Sequence, residues 1–408
     1  MNIHTTIDCC PITNSPTKYR YFSLGNIPLV NNLCESKTES LSVKKFPLNI
    51  VYYPSSGLSS LDFAVDSKLL FSHYLFKSEV NIPYYTHCQE MFAYLQKYVT
   101  VEDNTKIIDI GGNDGTLLDA FKKSSNKNFN VLNFDPSENL SKLSIKKGIP
   151  TNVNFFSYET ANELDTKFDI IVSTNVFQHL KDINSFVKGI NHIISDNGIW
   201  SLEFPYWIHD MITNQFDQIY HEHIYYYSIK PLKSLFEKHN MKIINITKQN
   251  IHGGTIRLII AKENSKFIQD QTVNDFLSNE EKYNLNYHIN WGNNIHNHIE
   301  KSSELIKRLK NENKTIYGFG AAAKGCIYLN AMGINNTHID YIIDDTDIKQ
   351  EKFVPGTGIK IVNRDILKNK QPDYILILAH NFCDYIINSL KSQYSNKFIL
   401  LIPDIRII

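Results

Sequence analysis

Residues 106 to 123 read KIIDIGGNDGTLLDAFKK, and the order of features within them decides the fold. Lys106-Ile107-Ile108-Asp109-Ile110 is a short apolar run that ends in glycine, the pattern of a buried strand. Gly111, Gly112 and Gly115 then crowd one turn, and Leu117, Leu118 and Phe121 follow at helical spacing. A strand that passes through glycines straight into a helix opens a doubly wound α/β sheet. Glycine lets the backbone come close to a ligand, and the helix N-terminus helps to orient it. The spacing is G-G-x-x-G, which differs from the dinucleotide pattern G-x-G-x-x-G. About twenty residues on, NVLNFD ends in Asp135, where a carboxylate at the next strand tip would accept hydrogen bonds from a ribose diol. Together Asp109, Gly111, Asn113, Gly115 and Asp135 point to an adenosine cofactor. The short acidic turn suits S-adenosylmethionine, whose sulfonium is positive and which carries no pyrophosphate.

Working outward, FDIIVST (168 to 174) and GIWSLEF (198 to 204) read as further strands of the same sheet, and IINIT (243 to 247) and TIRLIIA (255 to 261) would close it. Asn175, just past the strand end at Thr174, would face the cofactor, and His179 follows at the sheet edge where ligands collect. The expected organisation has four parts. Residues 1–72 form a small β-rich module, 73–264 the cofactor-binding domain, 265–314 a helical connector, and 315–408 a second, smaller α/β domain with strands TIYGFG, IDYIID and DYILILA.

Of 408 residues 42% are hydrophobic and 21% charged, which excludes wholesale disorder and fibrous repeats. Forty-two basic side chains balance forty-two acidic ones, so no global field favours nucleic acid or an anionic membrane. No apolar stretch reaches the roughly 18 residues that span a bilayer, and MNIHTTIDCC lacks the features of a signal peptide, so a cytoplasmic protein is expected. The six cysteines form no C-x-x-C pair and no disulfide framework.

Two segments carry further chemistry. Tyr220-His221-Glu222-His223 is dense in acid–base groups but lacks the zincin spacing H-E-x-x-H. On the residues alone it reads equally as a polar strand or loop with exposed histidines. Tyr317-Gly318-Phe319-Gly320-Ala321-Ala322-Ala323-Lys324-Gly325 is a second strand-turn-helix element whose small residues and single Lys324 are similar to a phosphate cradle, without the Ser or Thr that follows the P-loop lysine.

Taken in order, IDIGGNDGTLL, LNFDPSENL, STNVFQHLKDINSFVKGI, LEFPYWI, FDQIYHEHIYYYS, HGGTIRL, YGFGAAAKG and IDDTDIKQEKFVPGTGI resemble the signatures of the sugar C-methyltransferases, over nearly the whole chain. The resemblance implies a Rossmann-like class I methyltransferase domain flanked by the small β-rich N-terminal module and the smaller α/β C-terminal domain. It implies transfer of a methyl group from S-adenosylmethionine to carbon 3 of a nucleotide-diphosphate 4-keto-deoxysugar. By resemblance His223 is the base, Tyr220 and Glu222 assist, and His179 and Tyr74 (in SHYLFKSEV) reach in. His221, Glu203, His252, Arg257 and Lys324 would contact the substrate as the C-terminal domain closes over it. Sugar O- or N-methylation, and non-catalytic binding of a nucleotide sugar, are the competing readings. Members of the family carry two C-x-x-C pairs that bind structural zinc. Here Cys10-Pro11-Ile12-Thr13 keeps one thiol and Tyr53-Pro54-Ser55-Ser56 none, so no metal site is expected.

Overall fold

Strand β6 (Lys106–Ile110), the apolar run that ends in the glycine turn, lies at the middle of a seven-stranded sheet. The computed structural model describes residues 4–66, 70, 82–251 and 253–408; Tyr74 and His252 therefore lie outside the described residues. Ahead of β6 come β1 (His4–Thr6), β2 (Tyr19–Pro28), β3 (Lys45–Tyr53), β4 (Leu58–Leu61) and β5 (Phe63–Val65). Behind it follow β7 (Asn130–Phe134), β8 (Thr151–Asn152), β9 (Phe168–Thr174), β10 (Ile194–Pro205), β11 (Tyr225–Tyr226), β12 (Met241–Gln249) and β13 (Thr255–Lys262). The large sheet has the order β12-β13-β10-β9-β6-β7-β8. Its strands run parallel except β13, which is antiparallel to both neighbours. Ile107, Ile108, Ile110, Ile170, Ile171 and Val172 are fully buried, because helices cover both faces and both side-chain directions must be apolar. The chain order reverses between β6 and β9, which opens a crevice at their carboxyl ends.

The N-terminal sheet, of order β11-β4-β3-β2, is completed from outside its own stretch of chain. Tyr225 and Tyr226 pair antiparallel with Ser60 and Ser59, which draws the preceding Tyr220–His223 segment under the module. The positions of the two C-x-x-C pairs hold hydrogen bonds: Cys10 Sγ lies 3.2 Å from Ser56 Oγ, and Thr13 Oγ1 lies 2.7 Å from Ser55 Oγ. Hydroxyls that satisfy one another do not replace the thiolates or imidazoles that structural zinc requires. Among the described residues no group of three or more His, Cys, Asp or Glu could hold a metal ion.

Helices Gln271–Glu280 and Leu285–Asn311 lead to the C-terminal domain. Trp291 of the longer one donates to the Met211 carbonyl at 3.0 Å and meets Trp207 and Phe22 edge-on, joining the N-terminal module to the methyltransferase domain. The last strands, β14 (Ile316–Phe319), β15 (Tyr341–Ile343), β16 (Lys360–Val362), β17 (Tyr374–Ile377), β18 (Lys397–Leu400) and β19 (Arg406–Ile407), form a sheet of order β16-β15-β14-β17-β18-β19. Only β19 is antiparallel, so this is a second doubly wound unit. Ser40 clamps it to the N-terminal module: its Oγ donates to the Val354 carbonyl at 2.6 Å, and the Gly358 and Gly356 amides return bonds to its Oγ and carbonyl. No helix among the described residues is long and apolar enough to cross a membrane.

Because hydroxyl pairs and apolar packing hold the first module, elemental analysis of purified protein is expected to find zinc well below one equivalent, and a chelator to leave the melting temperature unchanged. One equivalent of zinc lost together with the fold would contradict this.

Candidate active site

The glycine turn forms the floor of the crevice between β6 and β9. Gly111 has φ +75°, and a Cβ there would collide with Val176, so only glycine fits. A Cβ on Gly112 would lie 2.6 Å from Asp109 Oδ2. Asn113, with φ +54°, donates its amide to Asp135 Oδ2 at 2.9 Å, and the Ser137 amide donates to Asp135 Oδ1 at 2.9 Å. Asp135 thus sits at the tip of β7 with both oxygens anchored and lone pairs to spare. Gly115 has φ +76° and opens helix Thr116–Lys123, whose first amide, that of Thr116, donates to Asp114 Oδ1 at 3.2 Å. Across the crevice Asn175, with φ +55°, donates its amide to the Glu203 carbonyl at 2.9 Å. Helix Ile82–Leu95 lies against the crevice, with the Tyr84 hydroxyl 3.0 Å from Thr174 Oγ1.

Asp109 is the electrostatic centre of this crevice. It is buried, and neither carboxylate oxygen has a hydrogen-bond partner among the described residues. Burial, reinforced by the Asp135 charge, pushes its carboxyl up to about 8. A buried, unpartnered carboxylate among close backbone atoms is the group that a cationic ligand completes. The donors present therefore fit S-adenosylmethionine.

The Tyr220–His223 segment is buried, not exposed: His221, Glu222 and His223 have 0%, 2% and 5% of their surface accessible. His223 Nδ1 lies 2.9 Å from the Gln218 carbonyl, which can only accept, so Nδ1 carries the hydrogen. His223 Nε2 then offers a lone pair, and the Tyr220 hydroxyl donates to it at 2.7 Å. Burial, with the neighbouring His179, holds His223 well below the usual imidazole range, so it is neutral. His179 takes the same tautomer: Nδ1–H donates to the Glu222 carbonyl at 2.7 Å, and burial lowers it to about 4. Its ring lies 4.9 Å from that of His223. With Nδ1 carrying the hydrogen, His179 Nε2 accepts from Gln178 Nε2 at 3.3 Å. His221 turns away to donate to the Pro47 carbonyl at 3.2 Å, on the N-terminal module.

The sequence-derived substrate residues separate into two groups. Glu203 and Arg257 face each other across β10 and β13 and form a buried ion pair, with Arg257 Nε donating at 2.7 Å. His87 adds a second contact to Glu203 at 2.8 Å. The Arg257 charge is thereby taken up inside the domain, beneath the crevice. Lys324, from the second glycine turn, reaches across to Gln215 Oε1 at 3.5 Å and shares its field with Asp217 and Asp210. Asp217 also meets His380 Nδ1 at 3.1 Å, and Gln215 Nε2 donates to the Gly253 carbonyl at 2.7 Å. These contacts bring the methyltransferase domain, the loop beside His252 and the C-terminal domain to one polar seam. His87, Asp217, Gln215 and His380 were not singled out in the sequence, since none belongs to a glycine turn or to the Tyr-His-Glu-His run.

The second turn repeats the geometry of the first. The Gly320 amide donates to the Ile343 carbonyl at 2.8 Å, as Gly111 does to Phe134 at 2.7 Å. Ala321 N donates to Asp344 Oδ2 at 2.8 Å and Thr346 N to Asp344 Oδ1 at 2.9 Å, as Asn113 and Ser137 do to Asp135.

Comparison with known proteins agrees with this geometry. A family described as a methyltransferase domain matches residues 84–246, and one described as the C-methyltransferase C-terminal domain matches residues 250–403. The C-methyltransferase NovU of Streptomyces niveus is 26% identical over 410 residues, covering 98% of this chain and 97% of that protein. A release factor glutamine methyltransferase of Buchnera aphidicola subsp. Acyrthosiphon pisum is 29% identical over 175 residues, 39% of this chain and 60% of that one. Among solved structures, the plantazolicin methyltransferase BpumL in complex with SAH is 12% identical over 44% of this chain and 85% of that chain, with a TM-score of 0.36. A seven-stranded sheet with one antiparallel strand, a glycine turn and an acidic tip on the next strand defines an S-adenosylmethionine-dependent methyltransferase of class I. Within that class, the family match over residues 250–403 and the similarity to a C-methyltransferase along nearly the entire length support an S-adenosylmethionine-dependent C-methyltransferase.

The state of Asp109 makes cofactor binding proton-linked. Without ligand its carboxyl titrates at about 8 and is mostly protonated at pH 7; a bound cation favours the charged form and lowers that value. Titration calorimetry at pH 7 in buffers of different ionisation enthalpy is expected to show proton release on S-adenosylmethionine binding, absent in Asp109→Asn. Proton uptake, or equal release by the variant, would contradict it.

Proposed function

We propose that the enzyme deprotonates the carbon beside the ketone of a nucleotide-linked 4-keto-deoxysugar and methylates that carbon, C-3. The observation that carries this reading is the Tyr220–His223 pair: a neutral imidazole with Nδ1–H tied to a carbonyl and Nε2 accepting from a phenol at 2.7 Å. Carbon is a poor nucleophile until a proton has left, so a positioned base is the first requirement of carbon methylation. Oxygen or nitrogen acceptors need no deprotonation of carbon, so proton exchange beside the ketone separates the readings.

The pair fits this task. As the C–H bond breaks, its proton passes to the Tyr220 oxygen while the phenolic proton moves to His223 Nε2, and the C–H electron pair becomes the enolate. The Gln218 carbonyl steadies the resulting imidazolium through Nδ1–H. Burial makes that imidazolium short-lived, so the proton is readily returned or exchanged with water. Bound S-adenosylmethionine supplies a methyl group as an electrophilic sulfonium. Helix Ile82–Leu95 and the N-terminal module cover the site, and the turn at Asp109 to Gly115 orients the methyl donor, so that alignment supplies much of the acceleration. The polar seam and the second turn support a nucleotide-diphosphate group placed between the two domains, with Lys324 its cation and Asp344 the counterpart of Asp135.

Proton NMR of a nucleotide-linked 4-keto-6-deoxyhexose in deuterated water is expected to show exchange beside the ketone, then a carbon-bound methyl signal once methyl-labelled S-adenosylmethionine is added. His223→Ala should slow both by about 10²–10⁴-fold while cofactor affinity is kept. A methyl signal on oxygen or nitrogen, or undiminished exchange in the variant, would refute the reading.

A further inference from the structure

Glu222 stands in the middle of the candidate catalytic run, yet its carboxylate is served from the other end of the chain. Asn31 Nδ2 donates to Glu222 Oε1 at 3.0 Å across 191 positions of sequence. Asn31 lies in the turn after β2, between buried Val30 and the segment that Ser40 clamps to the C-terminal domain. Asn31 is itself exposed, so packing does not account for the placement of its amide. Glu222 Oε2, by contrast, is buried and has no hydrogen-bond partner among the described residues. The same module receives His221 at the Pro47 carbonyl, bonds the Ile224 carbonyl through the Leu61 amide at 2.8 Å, and pairs with Tyr225 and Tyr226.

We propose that Asn31 is a positioning residue of the active site: its amide holds Glu222 Oε1, so that Oε2 is presented to the substrate, and the N-terminal module thereby builds one wall of the catalytic centre. The proposal rests on the reading of Glu222 as part of that centre. Other groups facing the Glu222 carboxylate are the Tyr226 hydroxyl on β11 and the Cys326 thiol on helix Ala323–Ala331. Burial raises both, so they stay neutral around pH 7, as do His179 and His221, which burial lowers to about 4. Glu222 is thus the group here whose charge changes near neutrality: burial pushes it up to about 7, and a bond from its own backbone amide, followed by the Asn31 bond, opposes that rise by favouring the charged form. Activity that needs the carboxylate falls as pH drops through about 7, and loss of the donor moves that fall to higher pH.

The test uses the full chain, with methyl transfer to a 4-keto-6-deoxyhexose nucleotide followed against pH for the parent protein, Asn31→Ala, Asn31→Asp, Asn31→Gln and Glu222→Gln. Asn31→Ala is expected to lower kcat about tenfold and move the acidic limb of kcat/KM up by about one pH unit, the size of one hydrogen bond to a charged group. Asn31→Asp keeps the side-chain volume and adds a like charge, so its limb should move further. Asn31→Gln, which restores an amide donor, should recover part of the rate. Glu222→Gln should lose the limb altogether. If Glu222→Gln is impaired while both Asn31→Ala and Asn31→Asp keep the parental rate and profile, the role given to Asn31 is overturned. If Glu222→Gln is fully active, the reading of Glu222 falls, and the proposal with it.

Discussion

The short ladder between Tyr225–Tyr226 and Ser59–Ser60 is the contact on which the arrangement of the site depends. It draws the Tyr220–His223 run under the N-terminal sheet, and burial then sets the ionisation of His221, Glu222 and His223. His223 and His179 become neutral because an imidazolium is costly in that place, and Glu222 becomes hard to ionise for the same reason. Backbone carbonyls select the tautomers.

The N-terminal module therefore serves the methyltransferase domain by supplying shape. Hydrogen-bonded hydroxyls and a continuous apolar core hold it together, and that core runs from Cys10 and Tyr53 through Trp207 and Trp291 into the C-terminal domain. The Ser40 clamp ties it to the loop around Val354. Three parts of the chain are thus fastened around one cleft, with each pair joined by buried contacts.

The two glycine turns share one physical solution. A parallel strand delivers its last carbonyl-bearing residues to the sheet edge, a glycine in the left-handed region reverses the backbone, and an aspartate from the neighbouring strand accepts a turn amide. The first leaves Asp109 without a hydrogen-bond partner among the described residues and so favours a cation, whereas the second lies beside Lys324, whose charge Asp217 and Asp210 already face.

Much of this was legible in the residues. The glycine turn, the aspartate at the next strand tip and the alternation of strands and helices follow from local rules of backbone freedom and apolar periodicity, so both doubly wound sheets and the residues around Asp109 could be read before any coordinates. Other features depend on contacts between residues far apart in sequence. Nothing near Arg257 announces that Glu203 neutralises it across two strands, nothing near Asn31 points to Glu222, and the two-residue strand Tyr225–Tyr226 is too short to carry a period. The sequence by itself determined the class of fold and the cofactor crevice, because those follow from neighbours in the chain. Tertiary structure alone decided which histidines are neutral, which charges are already paired and which module lies over the Tyr220–His223 run, because burial and long-range hydrogen bonds set those properties.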